Sequence, residues 1–235
     1  MFSMVEIEIN SRCNRRCDYC PNAIEPRNAP KLMKPEQFER ILDRLEEASF
    51  AGRLSYHFYN EPLLHPKLPD FVARVSLRLP NVRQILYSNG DYLTNEKYDL
   101  LRDRGIEKFV ITQHDGKPGE PKANLTWLTP QQLNLTSRAG TVAAGPPVAY
   151  GVTCFAPSDM LIITITGNVV LCYEDSREEV VLGNVFNTPI LEIWKSTAFQ
   201  AVRASLSEGD RTVAEVCRRC NNRAHQNSES FDYVL

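Results

Sequence analysis

The seven cysteines of this 235-residue chain constrain its fold more than any other feature. They form a group of three near the N-terminus and a group of four in the second half: Cys13, Cys17, Cys20, Cys154, Cys172, Cys217 and Cys220. An odd number cannot form a complete set of disulfides. The first residues, MFSMVEIEIN, lack the basic start and apolar stretch of a signal peptide. We therefore expect a cytoplasmic protein whose reduced thiols bind metal.

The group of three has no fourth cysteine beside it. Arginine and aspartate residues alternate with these cysteines in SRCNRRCDYCP, which indicates a surface loop rather than a buried core. Zinc and most iron–sulfur sites take four protein ligands. Three thiolates on a four-iron cluster would leave one iron open. The group of three therefore predicts a cluster that also binds a ligand from outside the protein.

The group of four supplies enough thiolates for one closed site. Cys217 and Cys220 form a C-x2-C pair, whereas Cys154 and Cys172 lie further upstream. Zinc also accepts four thiolates, and it is the alternative for these residues taken alone. We favour a second four-iron cluster, because a zinc site would leave the group of three unexplained.

Strand and helix patterns alternate over the first half of the chain. The predicted strands are 5–10, 54–59, 83–88 and 108–114, and the predicted amphipathic helices are 35–48, 71–79 and 95–104. Thr94 is the expected N-cap of the last helix, and Gly105 is placed to end it. This order predicts a parallel sheet with helices outside it and strand ends that share one catalytic rim.

The alternation stops after residue 114. Residues 115–130 are polar and contain proline, and residues 138–152 are rich in Gly, Pro and Ala. Gly167 and Asn168 then give a hairpin signal. The later predicted elements are strands at 160–166 and 169–173 and helices at 190–194 and 199–206. We predict two domains, 1–152 and 153–235.

Charge and hydropathy argue against two classes of partner. The chain has 27 basic and 29 acidic residues and a net charge of -2, so it lacks a broad basic field for nucleic acid. Its apolar runs are much shorter than the roughly 20 residues that span a bilayer. We expect neither nucleic acid nor a membrane among its partners.

The C-x3-C-x2-C spacing, with Tyr19 before the third cysteine, resembles the radical S-adenosylmethionine (SAM) superfamily. The four later cysteines, FAGRLSYHFYNEPLL, YSNGDYLT, VITQH and the terminal YVL extend the resemblance to the radical SAM enzymes that oxidise 2-deoxy-scyllo-inosamine in butirosin biosynthesis. This resemblance implies an α/β fold, a partial (β/α) barrel with a small C-terminal twitch domain, which is a truncated SPASM domain. It also implies two [4Fe-4S] clusters, SAM, and a reductant of the flavodoxin or ferredoxin type.

The resemblance further implies which residues hold SAM. Those residues are Tyr19, Asn60, Glu61, Ser88, Asn89 and Gln113. Glu61 is expected to meet the ammonium group, and Asn60 replaces a glycine that is usual in the family. An exposed strand-end carboxylate is the alternative for Glu61, and an ordinary turn is the alternative for Ser88 and Asn89. We expect His114, at the same rim, to be structural rather than catalytic.

The implied reaction is the oxidation of a secondary alcohol to a ketone. A 5′-deoxyadenosyl radical takes hydrogen from the carbinol carbon, the hydroxyl loses its proton, and the second cluster accepts the remaining electron. Arg138, in TSRAG, matches a family arginine expected near the reacting hydroxyl. A surface-loop arginine is the alternative. The implied substrate is an aminocyclitol or aminoglycoside intermediate of antibiotic biosynthesis.

Acidic and aromatic side chains suit a substrate that is cationic and covered in hydroxyls. Glu174 and Asp175 closely follow a cysteine of the second group. We predict that they hold ammonium or hydroxyl groups, with a solvated acidic turn as the alternative. Tyr59, Tyr87 and Tyr173 end strands near the rim. Each is expected either to contact substrate or to belong to the core.

Three other functions compete with the dehydrogenase. An epimerase begins with the same carbon radical but usually needs a free thiol to return hydrogen, and the two clusters use all seven cysteines. A peptide-modifying radical enzyme often carries a winged-helix-like recognition region, and the sequence has no spare segment of that size. A non-enzymatic iron–sulfur carrier does not explain a site with three cysteines.

Overall fold

A computed structural model describes residues 1–26, 31–116 and 119–227. The terminal YVL lies outside these ranges. The strands of the described residues are β1 Met4–Ile7, β2 Arg53–Ser55, β3 Arg83–Ser88, β4 Ile106–Thr112, β5 Leu125–Leu128, β6 Met160–Ile163, β7 Asn168–Val170 and β8 Val181–Asn184. They form one eight-stranded sheet in the order β5-β4-β3-β2-β1-β6-β7-β8.

The helices of the described residues connect these strands and cover the sheet. They are α1 Pro21–Ile24, α2 Pro35–Glu47, α3 Leu68–Arg78, α4 Asn95–Arg104, α5 Ala156–Asp159, α6 Ile190–Trp194, α7 Thr197–Ser207 and α8 Glu215–Arg219. In α2 the apolar stripe is fully buried, at Phe38, Ile41, Leu42 and Leu45. Burial of such stripes holds the helices on the sheet.

The five N-terminal strands are all parallel, which confirms the parallel sheet predicted for the first four of them. The bounds of β3 and α4 match the prediction, and the Thr94 hydroxyl accepts a hydrogen bond from the Lys97 N–H at 3.2 Å. Gly105 ends α4 with a φ of 125°. A Cβ atom on Gly105 would lie 1.9 Å from the Ser76 hydroxyl oxygen, so the close packing there requires glycine.

Several predicted elements have different bounds. Strand β1 ends at Ile7 rather than at residue 10, β4 is Ile106–Thr112 rather than 108–114, β6 ends at Ile163 rather than at residue 166, and β7 is Asn168–Val170 rather than 169–173. Two further differences have local reasons. Helix α3 begins at Leu68 rather than at residue 71, because Pro69 fits the first turn of a helix. Strand β2 ends at Ser55 rather than at residue 59. The Asn60 side chain accepts a bond from the Phe58 N–H at 2.8 Å and donates to the Tyr56 carbonyl at 3.2 Å, which turns the chain at the rim.

The sheet also contains two strands that the sequence did not predict. Residues 115–130 were expected to be irregular, but β5 lies within them and pairs with β4 in parallel. Trp127 of β5 packs against the main core. Strand β8 pairs with β7 and forms the other edge of the sheet. Strand β5 lies within a polar segment that contains proline, and β8 ends in Gly183 and Asn184, which are turn formers, so local composition hid both strands.

The sheet continues across the predicted domain boundary. The hairpin expected at Gly167 is present, with β6 and β7 antiparallel, and β6 also pairs in parallel with β1. The division of the chain at residue 152 stays a prediction. None of the described helices is long and apolar enough to cross a membrane.

Candidate active site and cluster sites

The first group of cysteines lies on the loop that follows β1, at the carboxyl edge of the parallel strands. The Arg15 N–H donates to the Cys13 sulfur at 3.4 Å, and the Asn89 amide nitrogen lies 3.8 Å from it. His114 Nδ1 lies 3.6 Å from the Cys17 sulfur. Hydrogen-bond donors around sulfur are typical of iron–sulfur sites.

Ion pairs fix the cysteine loop against two neighbouring turns. The Arg15 guanidinium donates to Asp91 at 2.7 Å and lies 2.7 Å from Asp115. These residues follow β3 and β4, so the loop is tied to the ends of both strands. The contact with Arg15 lowers the pKa of Asp91, which keeps the carboxylate charged.

His114 contacts the cysteine loop through Tyr19. The Tyr19 hydroxyl lies 2.7 Å from His114 Nδ1. Burial lowers the pKa of His114, and the charge of Arg15 adds to this effect, so the imidazole is neutral at pH 7. Burial, together with the neighbouring Cys17, raises the pKa of Tyr19. The pair therefore forms a neutral hydrogen bond that supports the loop.

Glu61 connects the ends of β2 and β3. Its buried carboxylate accepts hydrogen bonds from the Leu63 N–H at 2.9 Å, the Ser88 hydroxyl at 2.8 Å and the Asn89 N–H at 2.8 Å. It is 2% exposed, so it is not the exposed strand-end carboxylate considered above. Burial raises the pKa of Glu61, and these donors oppose that rise. Its contact with SAM stays a prediction.

The structure divides the other implied SAM contacts among three places. Tyr19 and Asn60 line a cleft at the rim. Ser88 ends β3 and Asn89 follows it, where the Asn89 side-chain amide also donates to the Asn14 side chain at 2.9 Å. Gln113 donates its backbone N–H to the Leu128 carbonyl at 2.7 Å, which places it beside β5. Their roles stay predictions.

The cleft has a volume of about 350 Å³, large enough for a small molecule. It is lined by Cys13 and Cys20 from the first group, together with Arg138 and the three tyrosines predicted near the rim: Tyr59, Tyr87 and Tyr173. Glu174, Ser88 and Gln113 are not among its lining residues. Arg138 and the three tyrosines thus face the same space as two of the cluster cysteines.

Arg138 extends into the cleft from a strained backbone position. Its φ is +46°, and its side chain is 21% exposed. The guanidinium carbon lies 5.9 Å from the Tyr59 ring centroid and 5.8 Å from that of Tyr173, within cation–π range. Burial opposes the charge, but Tyr59, Glu174 and Tyr173 keep the pKa of Arg138 above its ordinary value. Arg138 is therefore a fixed positive charge.

Glu174 lies behind Arg138 rather than in the cleft. Its carboxylate is 3.3 Å from the Arg138 guanidinium and accepts hydrogen bonds from Thr136 at 2.9 Å and Asn222 at 2.8 Å. Asp175 accepts from the backbone N–H groups of two following residues. Both carboxylates are buried, which contradicts the solvated acidic turn. Direct contact of Glu174 with substrate stays a prediction.

Two further residues of the cleft were missed by sequence reasoning. Glu6 lies on β1 and His57 follows β2, with His57 Nε2 4.0 Å from the Glu6 carboxylate. Burial raises the pKa of Glu6 to about 7, although Arg53 and Arg138 oppose the rise. Burial also lowers the pKa of His57 to about 3, with Arg53 as a second cause. The sequence signal that could have identified Glu6 is its charge on a strand that is otherwise rich in apolar residues.

The second group of cysteines lines one cavity on the far side of Tyr173. All four thiols face it, together with Glu174 and Asn222. Burial raises the pKa of each of the four thiols, to about 12 for Cys217 and about 11 for Cys220. Four buried thiols on one cavity fit an iron–sulfur cluster, since iron deprotonates its thiol ligands. Among the described residues, no three His, Cys, Asp or Glu side chains are placed to hold a single ion.

One residue separates the two sites. Tyr173 lines both the cleft and the four-cysteine cavity. Its backbone carbonyl accepts a hydrogen bond from the Tyr59 hydroxyl. Its own hydroxyl lies 2.8 Å from His225 Nε2 and accepts a bond from Asn222 at 2.6 Å. The Tyr173 ring is therefore held between the three-cysteine loop and the second cavity.

A sheet of parallel strands with three cysteines at its rim, followed by a four-cysteine cavity, defines a radical SAM enzyme with a second iron–sulfur domain. Residues 7–127 match the radical SAM superfamily, and residues 154–221 match SPASM, an iron–sulfur cluster-binding domain. SAM and two [4Fe-4S] clusters are therefore its cofactors. That the first cluster belongs to the three-cysteine loop and the second to the four-cysteine cavity stays a prediction.

Similarity to individual proteins shows which family within the superfamily the chain belongs to. The S-adenosyl-L-methionine-dependent 2-deoxy-scyllo-inosamine dehydrogenase of Niallia circulans is 37% identical over 100% of this chain and 99% of its own length. The crystal structure of BtrN in complex with AdoMet and 2-DOIA matches with a TM-score of 0.92 and 36% identity, covering 100% of this chain and 99% of that one. An open conformation of BtrN matches over the same shares with a TM-score of 0.81 and 37% identity. The chain belongs to this SAM-dependent dehydrogenase family.

Proposed function

We propose that this protein oxidises a secondary alcohol of an aminocyclitol or aminoglycoside intermediate to a ketone. The relative from Niallia circulans is named for this type of oxidation, and its similarity extends over the full chain. The observation that carries the proposal is the position of Tyr173, which lines both the cleft and the four-cysteine cavity. A substrate in the cleft would lie beside a site able to take its electron.

The cysteines of both groups hold the groups that do the redox chemistry. When bound, the first cluster supplies the electron that cleaves SAM, and the second accepts the electron that the substrate carbon gives up. The chain itself positions the alcohol and manages its proton. Arg138 and Glu6 are the charged side chains that line the cleft, and they support this assignment.

Arg138 stabilises the reacting oxygen. A guanidinium whose pKa lies above its ordinary value cannot accept the hydroxyl proton. It can donate hydrogen bonds to the oxygen as negative charge develops there, and a fixed donor of this kind is effective in a partly buried site. Glu174 holds the guanidinium in place from behind. Glu174 is thus a positioning residue in this scheme.

Glu6 is the group best suited to accept the proton. It lines the cleft, and burial raises its pKa to about 7, close to the pH at which a general base works best. As a carboxylate it also suits the ammonium group of an aminocyclitol. His57, with a pKa of about 3, is neutral at the same pH and gives Glu6 a polar neighbour without a competing charge.

Epimerisation is the second candidate, because it would begin with the same hydrogen abstraction. A thiol donor is missing from the sequence once both clusters are formed. Without a thiol, Tyr173 would have to return the hydrogen atom to the carbon radical. Its hydroxyl contacts His225 and Asn222, which line the second cavity. This arrangement favours the dehydrogenase.

The electron source and the cellular setting are part of the same proposal. A flavodoxin or ferredoxin would reduce the first cluster, and the exposed Arg12 and Arg16 beside the cysteines suit an acidic protein of that kind. Reduced thiols in this number suit the cytoplasm. We retain the division into a barrel at 1–152 and a twitch domain at 153–235.

An anaerobic assay with a panel of cyclitols tests the proposal. The panel contains aminocyclitols and the corresponding cyclitols in which hydroxyl replaces the amine. We expect an aminocyclitol to yield a product lighter by the mass of two hydrogens, with formation of 5′-deoxyadenosine. The hydroxyl analogues should react poorly, because they lack the charge that Glu6 recognises. Oxidation of both sets at equal rates would contradict the substrate class.

A further inference from the structure

Arg211 is a buried cation whose hydrogen-bond acceptors are all backbone carbonyls. It begins a short turn, Arg211–Val213, and is 4% exposed. Its guanidinium donates to the Val152 carbonyl at 3.0 Å and to the carbonyls of Thr153 and Asn222 at 3.4 Å each. In the part of the chain that the structure describes, none of the ion pairs includes Arg211.

The charge of Arg211 acts on the second group of cysteines. Arg211 lines the same cavity as all four thiols. Its hydrogen bonds reach the carbonyl of Thr153, which precedes Cys154, and that of Asn222, two residues after Cys220. The guanidinium is therefore close enough to favour negative charge on these sulfurs.

The nearby carboxylates are occupied by other donors. Glu174 pairs with Arg138 and accepts from Thr136 and Asn222. Asp175 accepts from the backbone N–H groups of Glu179 and Val180. A buried charge is costly unless an opposite charge faces it. The negative charge that faces Arg211 is that of the four cysteines as iron ligands.

We propose that Arg211 raises the reduction potential of the auxiliary cluster and thereby makes the four-cysteine site an electron acceptor. Reduction adds one negative charge at this site, and a fixed positive charge beside it stabilises the reduced form. The proposal rests on the proposed function for the direction of electron flow. After the 5′-deoxyadenosyl radical has taken the hydrogen atom from the carbinol carbon, the resulting carbon radical would give one electron to the oxidised cluster and lose the hydroxyl proton, and the carbon–oxygen double bond would form.

A purely structural role for Arg211 makes a different prediction. Its hydrogen bonds join the segment at Val152 and Thr153 to the segment at Asn222, so the side chain also connects two parts of the cavity wall. A structural role depends on the forked geometry of the guanidinium, whereas an effect on potential depends on the charge. Arg211→Lys keeps the charge and changes the geometry, and Arg211→Gln removes the charge.

The test measures the midpoint potential of the auxiliary cluster alone, without substrate. Each variant is made in full-length protein in which Cys13, Cys17 and Cys20 are alanine, so that only the second cluster contributes to the spectrum. Arg203→Gln is the matched control, because Arg203 packs on Trp194 and Phe199 and does not line the cavity. Reductive titration is followed by electron paramagnetic resonance.

We expect Arg211→Gln to lower the equilibrium constant for one-electron reduction of the auxiliary cluster at least tenfold. This corresponds to a midpoint potential lower by about 59 mV. The midpoint potentials of Arg211→Lys and Arg203→Gln should stay close to that of the parent protein. A parent-like potential in Arg211→Gln would overturn the proposal. If Arg211→Gln loses its iron, full iron loading and a parent-like potential in Arg211→Lys support the charge effect, whereas iron loss in both variants contradicts it. If the potential shifts as expected but protein with all seven cysteines intact forms no ketone from any aminocyclitol, the proposed function fails while the effect of Arg211 on the cluster stands.

Discussion

The Arg138 guanidinium lies 3.3 Å from the buried Glu174 carboxylate, so a carboxylate behind the cleft fixes a cation that faces into it. Glu174 is itself held by Thr136 and Asn222. The Tyr59 and Tyr173 ring centroids each lie within 6 Å of the guanidinium carbon. A side chain restrained from several directions loses little entropy when it binds a substrate oxygen.

Replacing Arg138 should slow turnover without preventing SAM cleavage. We expect Arg138→Ala to lower kcat/KM by ~10²–10⁴-fold, the range for a positioned polar group in acid–base catalysis. Cleavage of SAM in the absence of substrate should stay unchanged. Arg177→Ala is the control, because Arg177 pairs with Glu25 at the surface. Turnover of Arg138→Ala equal to that of the control would show that Arg138 has no role at the reacting oxygen.

The pH dependence of turnover should report on Glu6. Its pKa of about 7 means that the carboxylate form, which accepts a proton or binds an ammonium group, increases as the pH rises through 7. We expect kcat/KM of the parent to rise over this interval. Glu6→Gln should be slower and should lack the inflection. His57→Gln should keep it, because His57, with a pKa of about 3, does not titrate there. If the inflection of kcat/KM near pH 7 persists in Glu6→Gln, a group other than Glu6 causes it.

The first group of cysteines should account for all SAM cleavage. Replacing Cys13, Cys17 and Cys20 together with alanine should leave about half of the bound iron and sulfide, since two four-iron sites are expected. Reductive formation of 5′-deoxyadenosine should be abolished. Arg16→Ala, within the same loop, is the control and should keep full iron content. Continued reductive cleavage in the triple variant would place the SAM site elsewhere.

Loss of the second cluster should separate hydrogen abstraction from ketone formation. Cys217→Ala removes a ligand from the four-cysteine cavity while the first loop stays intact. We expect 5′-deoxyadenosine to form with substrate present, while the ketone largely disappears. The ratio of the two products is the measurement. A parent-like ratio in protein shown by iron counting to lack the second cluster would mean that the electron leaves by another route.

Local signals explain which parts of the fold were predictable. Helix α4 carries an N-cap at Thr94 and a glycine at its end, and its bounds were predicted correctly. The cysteine spacing likewise predicted two four-iron clusters, which the family matches confirm, since ligand spacing is a property of the sequence. The four-residue strands β5 and β8 depend on pairing with distant neighbours, and the sequence has no local signal for such contacts.

The contents of the cleft depend on the same long-range contacts. Glu6 pairs in register with Ser55, and this parallel pairing of β1 and β2 brings Glu6 close to His57. Neither residue has a motif that marks it. Glu174 was predicted to contact substrate from its closeness to Cys172 in sequence, but closeness in sequence does not fix where a side chain points. In the structure its carboxylate contacts Arg138, and its contact with substrate stays a prediction.

The most direct test of the central claim is the reaction of the purified protein with an aminocyclitol in deuterated water. Oxidation and epimerisation share the same first hydrogen abstraction and differ in what the carbon radical does next. We predict that all seven cysteines are cluster ligands, which would leave the radical no thiol to return hydrogen. We predict a ketone that is lighter than the substrate by two hydrogens and carries no solvent deuterium at the oxidised carbon. A product with the substrate's formula and one deuterium at that carbon would contradict the dehydrogenase and establish an epimerase.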